Sequence, residues 1–204
     1  MMAEERDIVQ MATALREMTQ RLVADGHTDI VYRAIGGSAM LERLQIEAAK
    51  SRLSRLVVTT DHRILLPDYH KEVELSPVHK TVYFLFLNHP EGIELKHLVD
   101  YREELMDYYL RLSSHVDLQL AEDTIDRLVN PLDNAINEKC SRIKATFTSI
   151  LDPYEASYYI ISSHRQLQVT GSSHPWYKRL KVVTLPRQLC DLPWSEQNSQ
   201  GNRF

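Results

Sequence analysis

Eight lysines and arginines lie close together in the C-terminal third of the chain, and their chemistry is the binding of anions. Residues 137–187 carry these cations against three carboxylates, a balance of +5, whereas residues 1–136 sum to −8 and residues 188–204 to −1. This asymmetry favours a surface that faces a polyanion, although chance clustering explains the same charges at this stage. The cations are Lys139, Arg142, Lys144, Arg165, Lys178, Arg179, Lys181 and Arg187.

Residue types that carry out catalysis do not occur here in a catalytic pattern. Five histidines recur every 8 to 10 residues without an HxxxH or CxxC pattern, and the chain has no P-loop, GxGxxG or GxSxG motif. Cys140 falls on the apolar side of its predicted helix, which favours a small buried hydrophobe over a nucleophile. The sequence therefore predicts a protein that is not an enzyme and holds no metal or cofactor. The histidines are His62, His70, His79, His89 and His97.

Composition excludes several classes of protein. The chain has 204 residues, of which 43% are apolar and 25% charged, values typical of one folded domain or of a small domain with an appendage. No apolar run approaches the roughly 20 residues of a membrane helix. The first ten residues are acidic and lack the apolar core of a signal peptide, and two cysteines do not form a secreted disulfide framework. We therefore expect a cytoplasmic protein without a membrane partner.

The N-terminal residues 1–54 predict a helical appendage. Residues 4–24 form one helix, which ends at Asp25-Gly26, and residues 38–53 form a second. The first helix has apolar residues at alternating spacings of three and four, over only about two heptads. It either docks on its own domain or forms a homodimer. The apolar residues are Ile8, Met11, Leu15, Met18 and Leu22.

After residue 55 the pattern changes to short strands, then helices, then strands again. Ser76-Pro77 is typical of a helix start, and Asn130-Pro131 predicts the start of a long helix that runs to about residue 149, with Leu132 on its buried side. Residues 188–204 predict a polar, flexible tail. The predicted strands are 56–60, 63–66, 73–75, 158–161, 167–170 and 180–185, and the predicted helices between them begin near residues 77, 96, 120 and 131.

This order of elements resembles the OmpR/PhoB-type winged-helix effector domain of bacterial response regulators. The residues Val73–Pro77 match the strand-to-helix junction of that family, Asn88–Ile93 match its following turn, and Asn137–Phe147 occupy the place of its recognition helix. The resemblance implies an α+β fold over 55–187: an N-terminal antiparallel meander, a winged helix-turn-helix and a C-terminal hairpin wing. The β region is longer than in the family. Residues 1–55 contain no receiver domain, so control by phosphorylation is not implied.

The resemblance also implies binding of double-stranded DNA by a transcriptional regulator. Residues 132–148 would enter the major groove, where asparagines bond base edges, small residues permit close approach and flanking cations meet phosphates, while hairpin 158–185 supplies wing cations. Arg165 and His164 would lie at a tip of that wing, and Glu138 would oppose phosphate. The residues assigned to DNA are Asn134, Asn137, Ser141, Arg142, Lys144, Ala145, Arg165, Lys178, Arg179 and Lys181.

Two other interpretations remain open. The helix cations are also explained by a solvated face, and the strand cations 178–181 by an edge strand that charge protects from pairing. The domain could instead be a protein–protein interaction module of a larger assembly. In that case Trp176 and Tyr177, which lie in a polar Gly/Ser/Pro loop, are the predicted contact residues.

Overall fold

The structure, a computed structural model, describes residues 2–50, 52–113, 117–168 and 176–194. The chain is a mixed α+β protein and divides into two units, residues 1–49 and residues 50–204. Among the described residues, no helix has both the length and the apolar character needed to cross a membrane.

The N-terminal unit consists of three helices: α1 (Met2–Ala24), α2 (Thr28–Ala34) and α3 (Gly37–Ala49). The predicted helices correspond to α1 and α3, whereas α2 was not predicted. Among the residues of this unit whose side chains the structure describes, only Ala49 is buried. The apolar residues of α1 that the sequence singled out therefore lie on its surface, with Leu22 half-buried.

A small sheet begins the second unit. Strands β1 (Leu56–Val58), β2 (Ile64–Leu66) and β3 (Lys71–Val73) form the predicted antiparallel meander. A strand near the C-terminus, β6 (Cys190–Asp191), pairs in parallel with β1. The order of strands in the sheet is therefore β3-β2-β1-β6. The sheet therefore includes two strands, β1 and β6, that lie far apart in the sequence.

The structure contradicts the first part of the predicted flexible tail, which begins at residue 188. Beyond β6, Leu192 is buried, and the Trp194 ring lies 5.1 Å from the ring of Phe84. Residues 188–194 are therefore packed on the domain instead of forming a flexible tail. Residues 195–204 lie outside the described residues.

Five helices and a hairpin complete the second unit. Helix α4 begins at Pro77 directly after Ser76, as predicted, and every residue from Thr81 to Leu87 is buried, so α4 is the central element of the core. The elements are α4 (Pro77–Asn88), a 3-10 helix (Leu95–Tyr101) that continues into α5 (Arg102–Leu112), α6 (Leu118–Val129), α7 (Ala135–Ile150), α8 (Pro153–Tyr159), β4 (Ile161–Gln168) and β5 (Trp176–Val183).

Buried tyrosines hold α4, α7 and α8 together. The hydroxyl of Tyr83 donates a hydrogen bond to the backbone oxygen of Tyr159 at 2.8 Å, and the hydroxyl of Tyr159 donates to the backbone oxygen of Ser54 at 2.7 Å. The ring of Phe147 stacks on the ring of Tyr159 with centroids 5.8 Å apart. Because Phe147 belongs to α7, these contacts fix which side of α7 is turned inward.

The prediction of a strand at residues 158–161 is wrong. The carboxylate of Asp152 accepts hydrogen bonds from the backbone nitrogens of Tyr154 and Glu155 at 2.8 and 3.1 Å, and caps α8 with Pro153 as its first residue. Strand β4 then runs without interruption from Ile161 to Gln168. His164 and Arg165, which we expected at a tip, therefore lie inside a strand.

The predicted start of the long helix at Asn130-Pro131 is also wrong. The Asn130 side chain accepts a hydrogen bond from the backbone nitrogen of Leu132 at 2.9 Å and forms a turn, and α7 begins only at Ala135. Leu132 is 94% exposed and does not belong to the buried side of a helix.

A two-residue bridge attaches the hairpin to the segment after α4. Ile93 and Lys181 exchange backbone hydrogen bonds of 2.9 and 2.8 Å. Gly92, at φ +84°, precedes this bridge, and a Cβ there would lie 3.1 Å from both the Lys181 oxygen and the Leu180 Cβ. Only glycine combines this backbone conformation with so close an approach.

Replacing Gly92 by alanine tests this attachment. We expect Gly92→Ala to lower the free energy of unfolding by roughly 1–3 kcal/mol, because the left-handed backbone is strained and the new methyl group meets the hairpin. Urea unfolding followed by the fluorescence of Trp176 and Trp194 measures the effect. Glu74→Ala, at an exposed position before α4, is the control and should change stability by less than about 0.5 kcal/mol. Equal stability of Gly92→Ala and wild type would contradict the attachment.

His89 joins the end of α4 to α5. Its Nε2 lies 2.8 Å from Oε2 of Glu104 and its Nδ1 lies 3.0 Å from Oε1 of Glu91. Burial lowers the pKa of His89, but the hydrogen bonds and charges of Glu104 and Glu91 outweigh burial, so the pKa lies above its usual value of 6.5.

Stability should consequently depend on pH through His89. A histidine whose pKa is raised by folding stabilises the protein fully below the unfolded pKa and loses this effect as the pH rises through the folded pKa. We expect the free energy of unfolding to decrease between about pH 6 and pH 8. Urea titrations over this range should show a weaker dependence for His89→Gln than for wild type. An identical pH dependence in His89→Gln and wild type would exclude this coupling.

Candidate nucleic-acid interface

Helix α7 presents a polar side to the surrounding solution. Its apolar residues, among them Ile143 and Phe147, are buried against the core, while the residues assigned to DNA from the sequence lie on the other side. Asn137 is half-buried, and the other members are exposed. The exposed members are Asn134, Ser141, Arg142, Lys144 and Ala145.

The polar side of α7 retains hydrogen-bonding capacity. The amide nitrogen of Asn137 donates to the amide oxygen of Asn134 at 3.2 Å, and the hydroxyl of Ser141 donates to the backbone oxygen of Asn137 at 2.8 Å. An asparagine amide has two donor hydrogens and two acceptor lone pairs, so each amide keeps groups for a ligand. Paired amides of this kind suit hydrogen bonding to base edges.

The register of the hairpin sorts its cations onto two faces. Arg165 lies directly opposite Arg179, and Ser163 lies opposite Lys181, so these four side chains share one face of β4–β5. Lys178 belongs to the other face. There its ammonium lies 2.8 Å from Oε1 of Glu94.

Lys178 therefore differs from the other predicted wing cations. Glu94 is only 11% exposed and also accepts Lys96 at 2.9 Å, and both ammonium groups lower the pKa of its carboxyl, through hydrogen bonds more than through charge alone. A lysine engaged in this way is not available for a phosphate without losing its partner. The structure thus places Lys178 in an ion pair with Glu94, apart from the face that carries Arg165, Arg179 and Lys181.

Arg165 and Arg179 are directly opposed residues of the hairpin, and both are exposed. Like charges at directly opposed positions of an antiparallel pair destabilise the pair. An anion between them would convert this repulsion into attraction, and a phosphate oxygen pair matches the geometry of guanidinium donors.

The cationic face of the hairpin and the polar side of α7 meet in one groove. Asn137 of α7 lines it together with Ser163, Arg179 and Lys181 of the hairpin, and its volume is about 330 Å³. The segment after α4 adds the Glu94 carboxylate and the Lys96 ammonium, and Leu95 and Leu180 complete the lining. Burial raises the pKa of the Cys140 thiol in α7, and the nearby positive charge of Lys181 partly opposes this increase. The groove therefore places a hydrogen-bonding side chain of the helix next to cations of the hairpin.

Two features limit the positive charge beside α7. Glu138 is exposed and lines a second groove with Asn134, Ser141 and Arg142, where its carboxylate opposes phosphate. Burial, followed by the charges of Lys139 and Arg142, lowers the pKa of His79 in α4, so this imidazole stays neutral at pH 7. The guanidinium of Arg142 is thus the main positive charge at this groove.

Other predicted residues fall elsewhere. Arg187, one of the eight cations, donates to the backbone oxygen of Leu87 at 2.6 Å and holds the end of α4. Trp176 and Tyr177, the predicted contacts of the protein-interaction hypothesis, lie in β5, but their side chains are outside what the structure describes.

Sequence reasoning missed Ser163 and the pairing of the two arginines. Both follow from the alternation of side chains along β4, which is visible only when residues 161–168 are recognised as one strand. The residues Ser162–Arg165 looked like a polar connection because serine, histidine and arginine are common in turns. The pairing partner across the hairpin could not be read without its register.

The structure offers no support for metal or thiol chemistry in the part that it describes. Within residues 2–50, 52–113, 117–168 and 176–194, no group of three or more metal-binding side chains comes together. Burial raises the pKa of both thiols, Cys140 and Cys190, to about 11, which disfavours the reactive thiolate.

Comparison with known proteins gives no relative: no family model, no curated protein and no solved structure matches this chain. The function must therefore be argued from the geometry alone.

Thiol reactivity tests the orientation of α7. Because Cys140 is buried and its pKa is raised, we expect it to react with a disulfide reagent at pH 8 at least about 100-fold more slowly than a thiol on the exposed side. Ser141→Cys places such a thiol on the next residue and should react at once. Unfolding in urea should release all thiols as a control. Equal rates for Cys140 and the introduced thiol would mean that α7 is turned differently.

Proposed function

We propose that residues 50–204 form a winged-helix domain that binds double-stranded DNA and serves a transcriptional regulator. The observation that carries the proposal is the groove in which Asn137 of α7 meets Ser163, Arg179 and Lys181 of the hairpin. A helix with a polar outer side beside a cationic hairpin is the arrangement that a major-groove reader with a backbone-binding wing requires.

The order and pairing of elements support this assignment. Helix α4 corresponds to the first helix of the winged-helix fold, Ile93 to its short internal strand, α7 to its recognition helix and β4–β5 to its wing. The Ile93–Lys181 bridge joins the internal strand to the wing. Helix α8 and strand β6 are additions to this plan.

The two parts of the interface have different roles in this proposal. Asn134 and Asn137 supply hydrogen bonds to base edges and therefore specificity, whereas Arg165, Arg179 and Lys181 hold the phosphate backbone. Arg142 and Lys144 lie on either flank of the polar side and contact phosphates beside the groove. Since the chain carries a net charge of −4, attraction to DNA must come from this local surface and not from the molecule as a whole.

Neighbouring cations of β5 provide the test. Arg179→Gln and Lys178→Gln each remove one positive charge, but only Arg179 lies on the proposed DNA face. We expect Arg179→Gln to weaken binding of a labelled duplex roughly 3- to 10-fold at low salt and to reduce the slope of log K against log salt by about 0.9. Fluorescence anisotropy over a series of salt concentrations measures both quantities.

Lys178→Gln is the matched control, because it changes the net charge equally and leaves the proposed face intact. It should bind within about twofold of wild type, because the Glu94 carboxylate already holds the Lys178 ammonium. Equal losses in the two variants would show that only net charge matters. Absence of duplex binding by the wild-type chain at low salt would overturn the proposal altogether.

A further inference from the structure

The N-terminal unit exposes apolar side chains that a stable protein normally covers. Four residues on one side of α1 are between 58% and 66% exposed, and only Ala49 is buried among the described side chains of the unit. A contiguous apolar surface of this kind marks an interaction site. The four residues are Ile8, Met11, Leu15 and Met18.

The spacing on α1 matches the seam of a two-stranded coiled coil. Ile8, Leu15 and Leu22 take the a positions of a heptad repeat, and Met11 and Met18 take the d positions. The positions that flank such a seam, e and g, decide which partner and which orientation are favourable.

The flanking e and g positions hold small residues at the centre of α1 and oppositely charged residues towards its ends. Ala12 and Ala14 lie beside the central layers and permit close approach of a second helix. Asp7 and Arg21, both exposed, occupy g positions two heptads apart. A helix that is acidic near its start and basic near its end complements itself when one copy is reversed.

We propose that α1 is the dimerisation surface of the protein and pairs with α1 of a second copy in the antiparallel orientation. Ile8 then packs against Met18 of the second copy, and Met11 packs against Leu15 of the second copy. Asp7 meets Arg21 of the second copy, and this contact occurs twice because the arrangement is symmetric. The proposal is independent of DNA binding.

A parallel pair is disfavoured by the same charges. It would bring the two Asp7 carboxylates to one end of the pair and the two Arg21 guanidinium groups to the other, so that like charges meet at both ends. It would also align the two helix dipoles, whereas the antiparallel pair opposes them. Charge complementarity therefore selects the reversed arrangement.

The dimer should be weak and dependent on concentration. Two heptads are shorter than the three or four that sustain an independent coiled coil. We expect dissociation over roughly 1–100 µM, which sedimentation velocity of the full chain without DNA can follow.

Exchange of the charges tests the orientation. Asp7→Arg gives a chain whose antiparallel pairing sets arginine against arginine, and Arg21→Asp gives one that sets aspartate against aspartate. Each variant alone should dimerise at least tenfold more weakly than wild type. An equimolar mixture of the two should recover a dimer, as should the double variant D7R/R21D, because both restore opposite charges.

A change in the seam tests the surface itself. Leu15→Asp places a charge between the helices and should give a monomer at every concentration measured. Thr13→Asp introduces the same charge on the outer side of α1 and is the matched control, which should dimerise as wild type does. A wild-type chain that remains monomeric throughout, or single charge variants that dimerise normally, would overturn the proposal.

Discussion

The hydrogen bonds of Tyr159 are the interaction on which the arrangement of the second unit depends. This tyrosine is the last residue of α8, and its hydroxyl binds the backbone just before β1 while its own backbone oxygen accepts the hydroxyl of Tyr83. Its ring stacks on Phe147 of α7. Burial raises the pKa of both phenols, which favours the protonated form that donates these hydrogen bonds. The direction in which β4 leaves the core follows from these contacts.

In the hairpin, strand alternation places neighbouring cations on opposite faces. Lys178 and Arg179 are neighbours in sequence, yet one side chain neutralises a largely buried carboxylate and the other is exposed opposite a second arginine. Structural ion pairs of this kind offset the desolvation of Glu94. Arg165 and Arg179, in contrast, are directly opposed like charges, which destabilise an antiparallel pair.

Much of the fold follows from local sequence chemistry, and the differences have physical causes. Ser76-Pro77 was correctly read as a helix start, whereas Asp152-Pro153 carries the same chemistry and was overlooked because the aromatic and β-branched residues after it suggested a strand. At Asn130 the side chain closes a turn on Leu132, a competition between turn and helix that composition does not resolve. The members of the candidate site on α7 could be predicted from helical periodicity. The sorting of the hairpin cations could not, because it depends on a register between strands.

The parallel pairing of β6 with β1 has a consequence for how the protein is made. Leu56 leaves the ribosome long before Cys190, its partner in the sheet. Until then β1 presents an unpaired edge, a site at which nascent chains associate wrongly. Contacts between such distant residues also slow folding, since a long loop must close before they form. Newly synthesised chains should therefore be most vulnerable to aggregation, and most in need of a chaperone, during this interval.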